Sequence, residues 1–256
     1  MKGLLIQLQV VYAILLREVK TRFGDHQWGY AWALIEPSLW VLTFVGIYHV
    51  MGRMAPPGMS MIAFLATGIV IFQLFRNTSA QAMAAITANR GLLFYPQVRP
   101  LDLVMARAVL EGATQVVVFA MLMGAAALIE GSLRVDSVLT TLLGMLLAGG
   151  LGLGFGLVLC GLNTLSPTVE RLHGPLVRPL FWLSAVFYPI DSVPTALRNI
   201  LLYNPIVHAI ELVRDGWFPG YQTRHIDPWY PAGWILVLLF FGLSLERVAR
   251  RRLQLS

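Results

Sequence analysis

Arg76, Arg178 and the set His208, Glu211 and Arg214 are the residues of this chain placed to do chemistry, and that chemistry is the handling of charge. Arg76 interrupts an apolar run, where a cation either bonds to carbonyls and stretches toward water or lines a path for an anion. Arg178, Phe181 and Trp182 recur at three- and four-residue spacing, so a helix sets one cation beside two aromatic faces. His208, Glu211 and Arg214 follow at i, i+3 and i+6, near one helix face and within reach of pairing; Arg107 and Glu111, four apart, can pair likewise. Bond-making motifs are missing: GxSxG, HExxH and CxxC do not occur, and His26, His49, His173, His208 and His225 show no metal-ligand spacing. Acids with catalytic spacing are missing too, so an enzyme is not expected, and the few acids and histidines deep in apolar runs count against proton-coupled transport. The single cysteine, Cys160, excludes an intrachain disulfide and sits in a glycine-rich apolar run suited to packing.

The elements that must position these residues are membrane helices. Hydrophobic residues make up 57% of the chain and charged residues 12%, against about 45–50% and about 25% in soluble domains, and mean hydropathy is +0.69. Near the N-terminus, Leu4, Leu8, Val11, Leu15, Val19 and Phe23 recur at helical spacing, widened by Leu5, Tyr12 and Leu16, while Lys2, Arg17, Lys20 and Arg22 take the other face. Such a helix lies in the membrane interface, and residues 1–30 are read as this helix and its linker. Residues 31–256 then form an all-α membrane domain, with apolar runs at 31–51, 61–83, 109–129, 138–162, 172–188 and 231–245 as six spans. Within the fourth run, Gly150/Gly154 and Gly152/Gly156 form overlapping small-xxx-small pairs; close helix packing and the general abundance of glycine in membrane helices both account for them.

Between 190 and 228 the pattern breaks into two apolar pieces, 197–203 and 207–213, separated by Asn204 and Pro205. Each is about 10 Å long as a helix, a third of the hydrocarbon core, which fits a re-entrant pair; the other reading fuses them into a seventh span kinked at Pro205. Charge separates the two. With six spans, thirteen of the 19 basic residues fall on one side, including Lys2, Arg17, Lys20, Arg22, Arg90, Arg99 and the Arg250–Arg252 tail. The opposite side holds only Arg53, Arg134, Arg198, Arg214 and Arg224, so both termini are expected in the cytoplasm. The formal charge of +6 is thus a topology signal spread over loops and ends, and nucleic acid is not an expected partner.

Three blocks, in order along most of the chain, resemble the membrane subunits of type-2 ABC transporters that export polysaccharides. The first is Arg17-Glu18-Val19-Lys20-Thr21-Arg22-Phe23 with Gly29-Tyr30-Ala31-Trp32 and Glu36-Pro37, similar to that family's passage from interfacial helix to first span. The second runs from Asn89-Arg90-Gly91-Leu92-Leu93-Phe94-Tyr95-Pro96 through Arg99-Pro100-Leu101-Asp102 to Arg107 and Glu111, and its tyrosine-proline and proline-leucine-aspartate elements resemble the capsular-polysaccharide branch. The third, Phe187-Tyr188-Pro189-Ile190 with Asn204-Pro205-Ile206 and Glu211-Leu212-Val213-Arg214, is similar to the re-entrant region before the last span.

The resemblance implies a permease subunit of an ATP-driven exporter of lipid-linked capsular polysaccharide in the bacterial inner membrane. It implies a homodimer with the lumen between protomers, and two copies of a cytoplasmic ABC ATPase subunit that binds the ATP and Mg, this chain carrying no cofactor. Periplasmic and outer-membrane export proteins are implied as further partners. The loop 87–102 is the implied coupling element: Pro96 and Pro100 keep it short, and Leu92, Leu93, Phe94, Tyr95 and Pro96 are the residues for the ATPase to cover. A loop with its aromatics in the membrane surface is the other reading of that segment. Candidate residues of the glycan path are Trp40, Arg76, Arg178, Phe181, Trp182 and Tyr188, and Trp28, Tyr30, Trp32 and Phe187 are weighed with them; packing and interfacial anchoring account for the aromatics as well. Asn204, Pro205, His208, Glu211 and Arg214 are the candidate gate, because non-helical backbone at membrane depth must be satisfied by protein or water. Export of O-antigen, teichoic acid or a drug, a passive pore, and a scaffold of a polymerase complex are the alternative functions.

Overall fold

In the computed structural model, which describes residues 2–23, 28–131 and 135–253, the described residues form helices joined by turns and loops, with no strand among them. In order it forms α1 (Lys2–Phe23), α2 (Trp28–Val50), α3 (Met61–Met83), α4 (Ala85–Ala88), α5 (Pro100–Glu130) and α6 (Val138–Leu165). Then follow α7 (Thr168–Trp182), α8 (Thr195–Leu201), α9 (Pro205–Trp217) and α10 (Trp229–Leu253), with short 3-10 turns at Arg90–Phe94 and Ile190–Ser192. Four of these, α3, α5, α6 and α10, are long and apolar enough to cross a membrane, while the apolar part of α2 is Leu34–Val50.

Helix starts follow the local chemistry. The Ser60 hydroxyl accepts from Ala63 N at 3.3 Å and the Ser137 hydroxyl from Thr140 N at 3.2 Å, each answering one open donor of a first turn. Pro100 opens α5, where its missing N–H costs nothing, and the Asp102 carboxylate accepts from Arg99 N at 2.8 Å. α5 therefore begins well before the apolar run at 109, its charged first turns being carried by partners described below.

α3 stands at the centre, packed by α2, α5, α6, α7 and α9. Two of its buried hydroxyls are answered locally: Thr67 Oγ1 donates to Phe64 O at 2.7 Å, and Ser79 Oγ donates to Arg76 O at 2.8 Å. α6 lies between α3 and α10, and its glycines serve both neighbours. A Cβ on Gly152 would sit 2.6 Å from Phe75 O and one on Gly156 2.6 Å from Ser79 O, so on this face only glycine lets the two backbones meet. Gly150 and Gly154 face Ile235 and Leu238 of α10 instead. The glycine run is thus a packing device on two sides.

The expected fifth span, 172–188, is corrected in its bounds: the helix there is α7, Thr168–Trp182. Helix α7 ends at Trp182, and its 15 residues rise about 22 Å, less than the hydrocarbon core of about 30 Å. Residues after it turn, with Ala185 at φ +55°. The two pieces expected at 197–203 and 207–213 are separate helices: Asn204 stands between them at φ −82°, ψ 112°, and its side chain accepts from Ile206 N at 3.1 Å to start α9 at Pro205. A single kinked helix through this corner is therefore excluded.

Candidate functional site

A groove of about 510 Å³ opens between α3 and α7. From α3 come Ile69, Phe72, Gln73 and Arg76, on one helical face; from α7 come His173, Gly174, Val177, Arg178, Phe181 and Trp182; α2 adds Trp40. Of the six candidate path residues, Trp40, Arg76, Arg178, Phe181 and Trp182 line this one space. Tyr188 does not: it faces a separate hollow with Tyr48 and Arg53, and its hydroxyl donates to Trp182 O at 3.2 Å. The turn that ends α7 is what separates Tyr188 from its expected companions.

Both main walls of the groove carry an aromatic and a cationic group, Phe72 and Arg76 on α3 and Phe181, Trp182 and Arg178 on α7. Phe181 packs against Phe72, Phe187 and Trp182 with ring centroids 5.1, 5.2 and 5.6 Å apart, so it is a supported wall. Trp40 and Trp182 keep open faces, 41% and 59% exposed. Arg76 Nη2 stands 3.7 Å from Glu36 Oε1, with both side chains part-exposed, a pair worth little in itself. His173, at the other end, has Nε2 2.8 Å from Ser79 Oγ, which ties α7 to α3.

Above the end of α7 sits a buried clamp. Arg214 and Glu211, both with 0% of the side chain exposed, meet at 2.8 Å. Arg214 Nη1 also donates to Ala185 O at 2.8 Å and Tyr188 O at 3.1 Å, its Nη2 donates to Val186 O at 2.8 Å, and its guanidinium lies 4.2 Å from the Phe64 ring centroid. Glu211 in turn accepts from Ile190 N at 3.3 Å, from Thr223 Oγ1 at 3.2 Å and from the Tyr221 hydroxyl. Burial, and then the Glu211 carboxylate, push the Tyr221 hydroxyl well above its ordinary pKa, so it remains a donor. Three carbonyls of the turn that follows α7 are thus satisfied by one side chain from α9. The expectation that His208 shares this network is corrected: its Nε2 lies 2.9 Å from Leu202 O and its Nδ1 accepts from Asp227 N at 3.0 Å. Asn204 reaches back as well, its Nδ2 donating to Ser184 Oγ at 2.9 Å.

At the far end of α3, the 3-10 turn Arg90–Phe94 carries the expected coupling residues. Phe94 is 88% and Tyr95 60% exposed, and Pro96 is exposed beside them. Leu92 and Leu93 are half-buried against a cluster of this chain's own residues that includes Ile14, Ala85 and Ile86. A polar node that the spacing did not suggest anchors the turn. Glu18 Oε1 accepts from Asn89 Nδ2 at 2.8 Å and from Arg107 Nε at 3.0 Å, and Arg17 Nη1 donates to Asn89 Oδ1 at 3.0 Å. Arg107 thus pairs across to α1, while Glu111 accepts from Gln115 Nε2 at 3.1 Å. The signal available in the sequence was Glu18 itself, an acid on the apolar side of an otherwise basic helix.

α1 is accordingly turned from its expected aspect. Ile14 and Glu18 are buried, and the Gln7 amide donates to Asp102, whereas Leu8, Tyr12 and Leu16 form an exposed apolar stripe. Arg17 and Lys20 are exposed; the side chains of Arg22, Trp28 and Tyr30, and residue Arg134, lie outside the described residues. Replacing Arg107 with glutamine is expected to destabilise the protein by about 2 kcal/mol, because the buried Glu18 carboxylate then loses its cation and keeps the uncharged Asn89 amide. A thermal melt of the purified protein checks this; an unchanged midpoint would mean that the node contributes nothing.

Residues 9–218 match the family described as ABC-2 type transporter. The chain is 35% identical to the polysialic acid transport protein KpsM of Escherichia coli, over 96% of this chain and 95% of that one. It is 32% identical to the capsule polysaccharide export inner-membrane protein CtrC of Neisseria meningitidis, over 96% of this chain and 92% of that one. To the capsule polysaccharide export inner-membrane protein BexB of Haemophilus influenzae it is 29% identical, over 96% and 93% of the two chains.

Proposed function

The chain belongs to the ABC-2 type transporter family, and we propose that it is the membrane subunit of an ATP-driven exporter that moves lipid-linked capsular polysaccharide across the bacterial inner membrane. The observation that carries this reading is the end-to-end similarity to capsule export permeases, with nearly the whole of each chain covered. In this reading the chain crosses the membrane six times with both termini in the cytoplasm: α2 and the short α7 join the four long helices, α1 lies in the interface, and α8 and α9 form a re-entrant pair. Two protomers enclose the lumen. Two ABC ATPase subunits sit below and bind the ATP and Mg, and periplasmic and outer-membrane export proteins take the glycan onward.

The mechanism follows from how the described parts are joined. ATP closes the ATPase subunits against Phe94, Tyr95 and Pro96, the exposed tip of the turn. Because Asn89 at the base of that turn is bonded to Arg17 and Glu18, and Glu18 to Arg107, a push on the tip reaches α1 and α5 together. The groove of Arg76, Arg178, Trp40, Phe181 and Trp182 lies on the glycan path, and the corner at Asn204 and Pro205, held to the end of α7 by Arg214, Glu211 and Asn204, is the outer gate. His208 joins that gate from its α10 side, through Asp227.

Deleting the chain from the cell that makes it is expected to trap a finished capsular glycan inside the cytoplasm, with export restored by the wild-type gene. Unchanged surface glycan after deletion overturns the proposal. Replacing Phe94 and Tyr95 together by alanine is expected to weaken co-purification of the ATPase subunit at least about 30-fold, as loss of a central aromatic anchor does. Full association with the doubly substituted chain would remove the coupling role.

A further inference from the structure

Gln73 lies on the floor of the groove, is 3% exposed, and its Oε1 has no hydrogen-bond partner. A buried amide acceptor in that state is costly, and native proteins keep few of them without a reason. One turn along the same helix, Arg76 is only loosely answered, by Glu36 at 3.7 Å and by Asn77 Oδ1 at 3.1 Å. Across the groove, Arg178 is exposed and forms no ion pair among the described residues. His173 is engaged with Ser79, and Glu36 on α2 is the acid that faces Arg76. The open faces of Trp40 and Trp182 complete the lining, and the volume of about 510 Å³ falls within the range of small-ligand sites, about 300–1,000 Å³.

Each class of occupant meets this set of groups differently. A lipid tail would leave the Arg178 guanidinium and a buried amide unanswered. A free inorganic anion would satisfy the arginines but offer the tryptophans no apolar face. A neutral sugar would stack and donate a hydroxyl to the amide, yet bring no negative charge to the two cations. We infer that the groove is a recognition site for a hydroxylated anion: a carboxylate or phosphate held between Arg76 and Arg178, a neighbouring hydroxyl donating to Gln73 Oε1, and the C–H face of a sugar or polyol against Trp40 or Trp182. Arginine suits the first task because its planar fork takes two oxygens of one acid group. Gln73 is the residue that separates a sugar acid from a bare anion. The inference rests on the reading of the groove as part of the glycan path, and assigns that path a charge and a hydroxyl reader.

The test uses the full chain in lipid nanodiscs and equilibrium dialysis with two tritiated trisaccharides of equal length, one bearing a glucuronic acid and one neutral. The acidic sugar is expected to bind at least about 10-fold more tightly. Arg178→Gln and Arg76→Gln should each bring it to the level of the neutral sugar, and Gln73→Leu should weaken both sugars. Arg178 is exposed, so its variant keeps the fold even if Gln73→Leu does not. Equal affinity for the two sugars, or undiminished binding of the acid by Arg178→Gln, overturns the inference. Competition by glycerol 3-phosphate as effective as by the acidic trisaccharide places the anion at the phosphate end of a lipid carrier; competition by the trisaccharide alone places it on a sugar of the chain. Charge-blind binding together with glycan trapped by deletion would sink this inference and leave the export function standing, whereas surface glycan surviving deletion would sink the function itself.

Discussion

Leucine in place of Arg214 is expected to destabilise the protein by about 3–5 kcal/mol, the cost of stranding one member of a buried ion pair. The loss has two parts. Glu211, with 0% of its side chain exposed, keeps only the donors from Ile190, Tyr221 and Thr223. Meanwhile the carbonyls of Ala185, Val186 and Tyr188 lose the side chain that satisfies them, just where Ala185 is held in a left-handed conformation at φ +55°. Such a turn persists only when its surroundings enforce it. The measurement is the yield of monodisperse protein in detergent and its thermal midpoint, compared with Arg214→Leu combined with Glu211→Leu. The double variant should recover part of the loss, because it no longer buries a lone charge. If the single variant melts like the wild type, the clamp does not hold the break at the end of α7.

Leucine at Gly156 is expected to cost about 3 kcal/mol or more, at the upper end for overpacking. A first carbon there would already lie 2.6 Å from Ser79 O and 2.6 Å from Ala82 Cβ, so backbone must move before the rest of the side chain fits. Gly152 meets Phe75 O in the same way, and a variant there should behave alike. Leucine at Gly46 or Gly124, where nothing lies within 4 Å, is the control, expected to change stability by under about 0.5 kcal/mol. Thermal melts of the four variants separate a packing requirement from the general frequency of glycine in membrane helices. Equal effects at all four sites would rule out close α3–α6 approach as the reason for Gly152 and Gly156.

How far the site could be read from residues alone depended on the range of the forces involved. α3 starts and stops where its apolar run does, at Met61–Met83, because burial and a serine cap act on neighbours in sequence. The corner at Asn204 and Pro205 was legible for the same local reason: an amide cap followed by a ring without an N–H begins a helix wherever it stands. Arg76, Arg178, Phe181 and Trp182 were picked out as chemistry-bearing residues, though spacing joined only the last three. Arg107 shows where such reasoning fails. Its i+4 neighbour Glu111 was within reach, yet the Glu18 carboxylate on α1, 89 positions away, lies 3.0 Å from its Nε. Gln73 gave no signal at all, since an amide in an apolar run announces a site only once its neighbours are known to leave it without a partner.

Composition, hydrophobic period and the placement of basic residues, taken by themselves, pointed to an all-helical membrane chain, and three short blocks pointed to its family. These follow from solvent: lipid and water sort apolar and charged residues by rules that need no knowledge of what touches what. Tertiary structure decided the rest. It supplied Arg214 to the carbonyls of the turn that follows α7, turned Glu18 of α1 inward to meet Arg107 and Asn89, and brought Gln73 and Arg76 across from Arg178 in one groove. The physical reason is that a buried polar group takes whichever partner geometry brings within about 3 Å, and in a packed bundle that partner comes from another helix as readily as from the next turn.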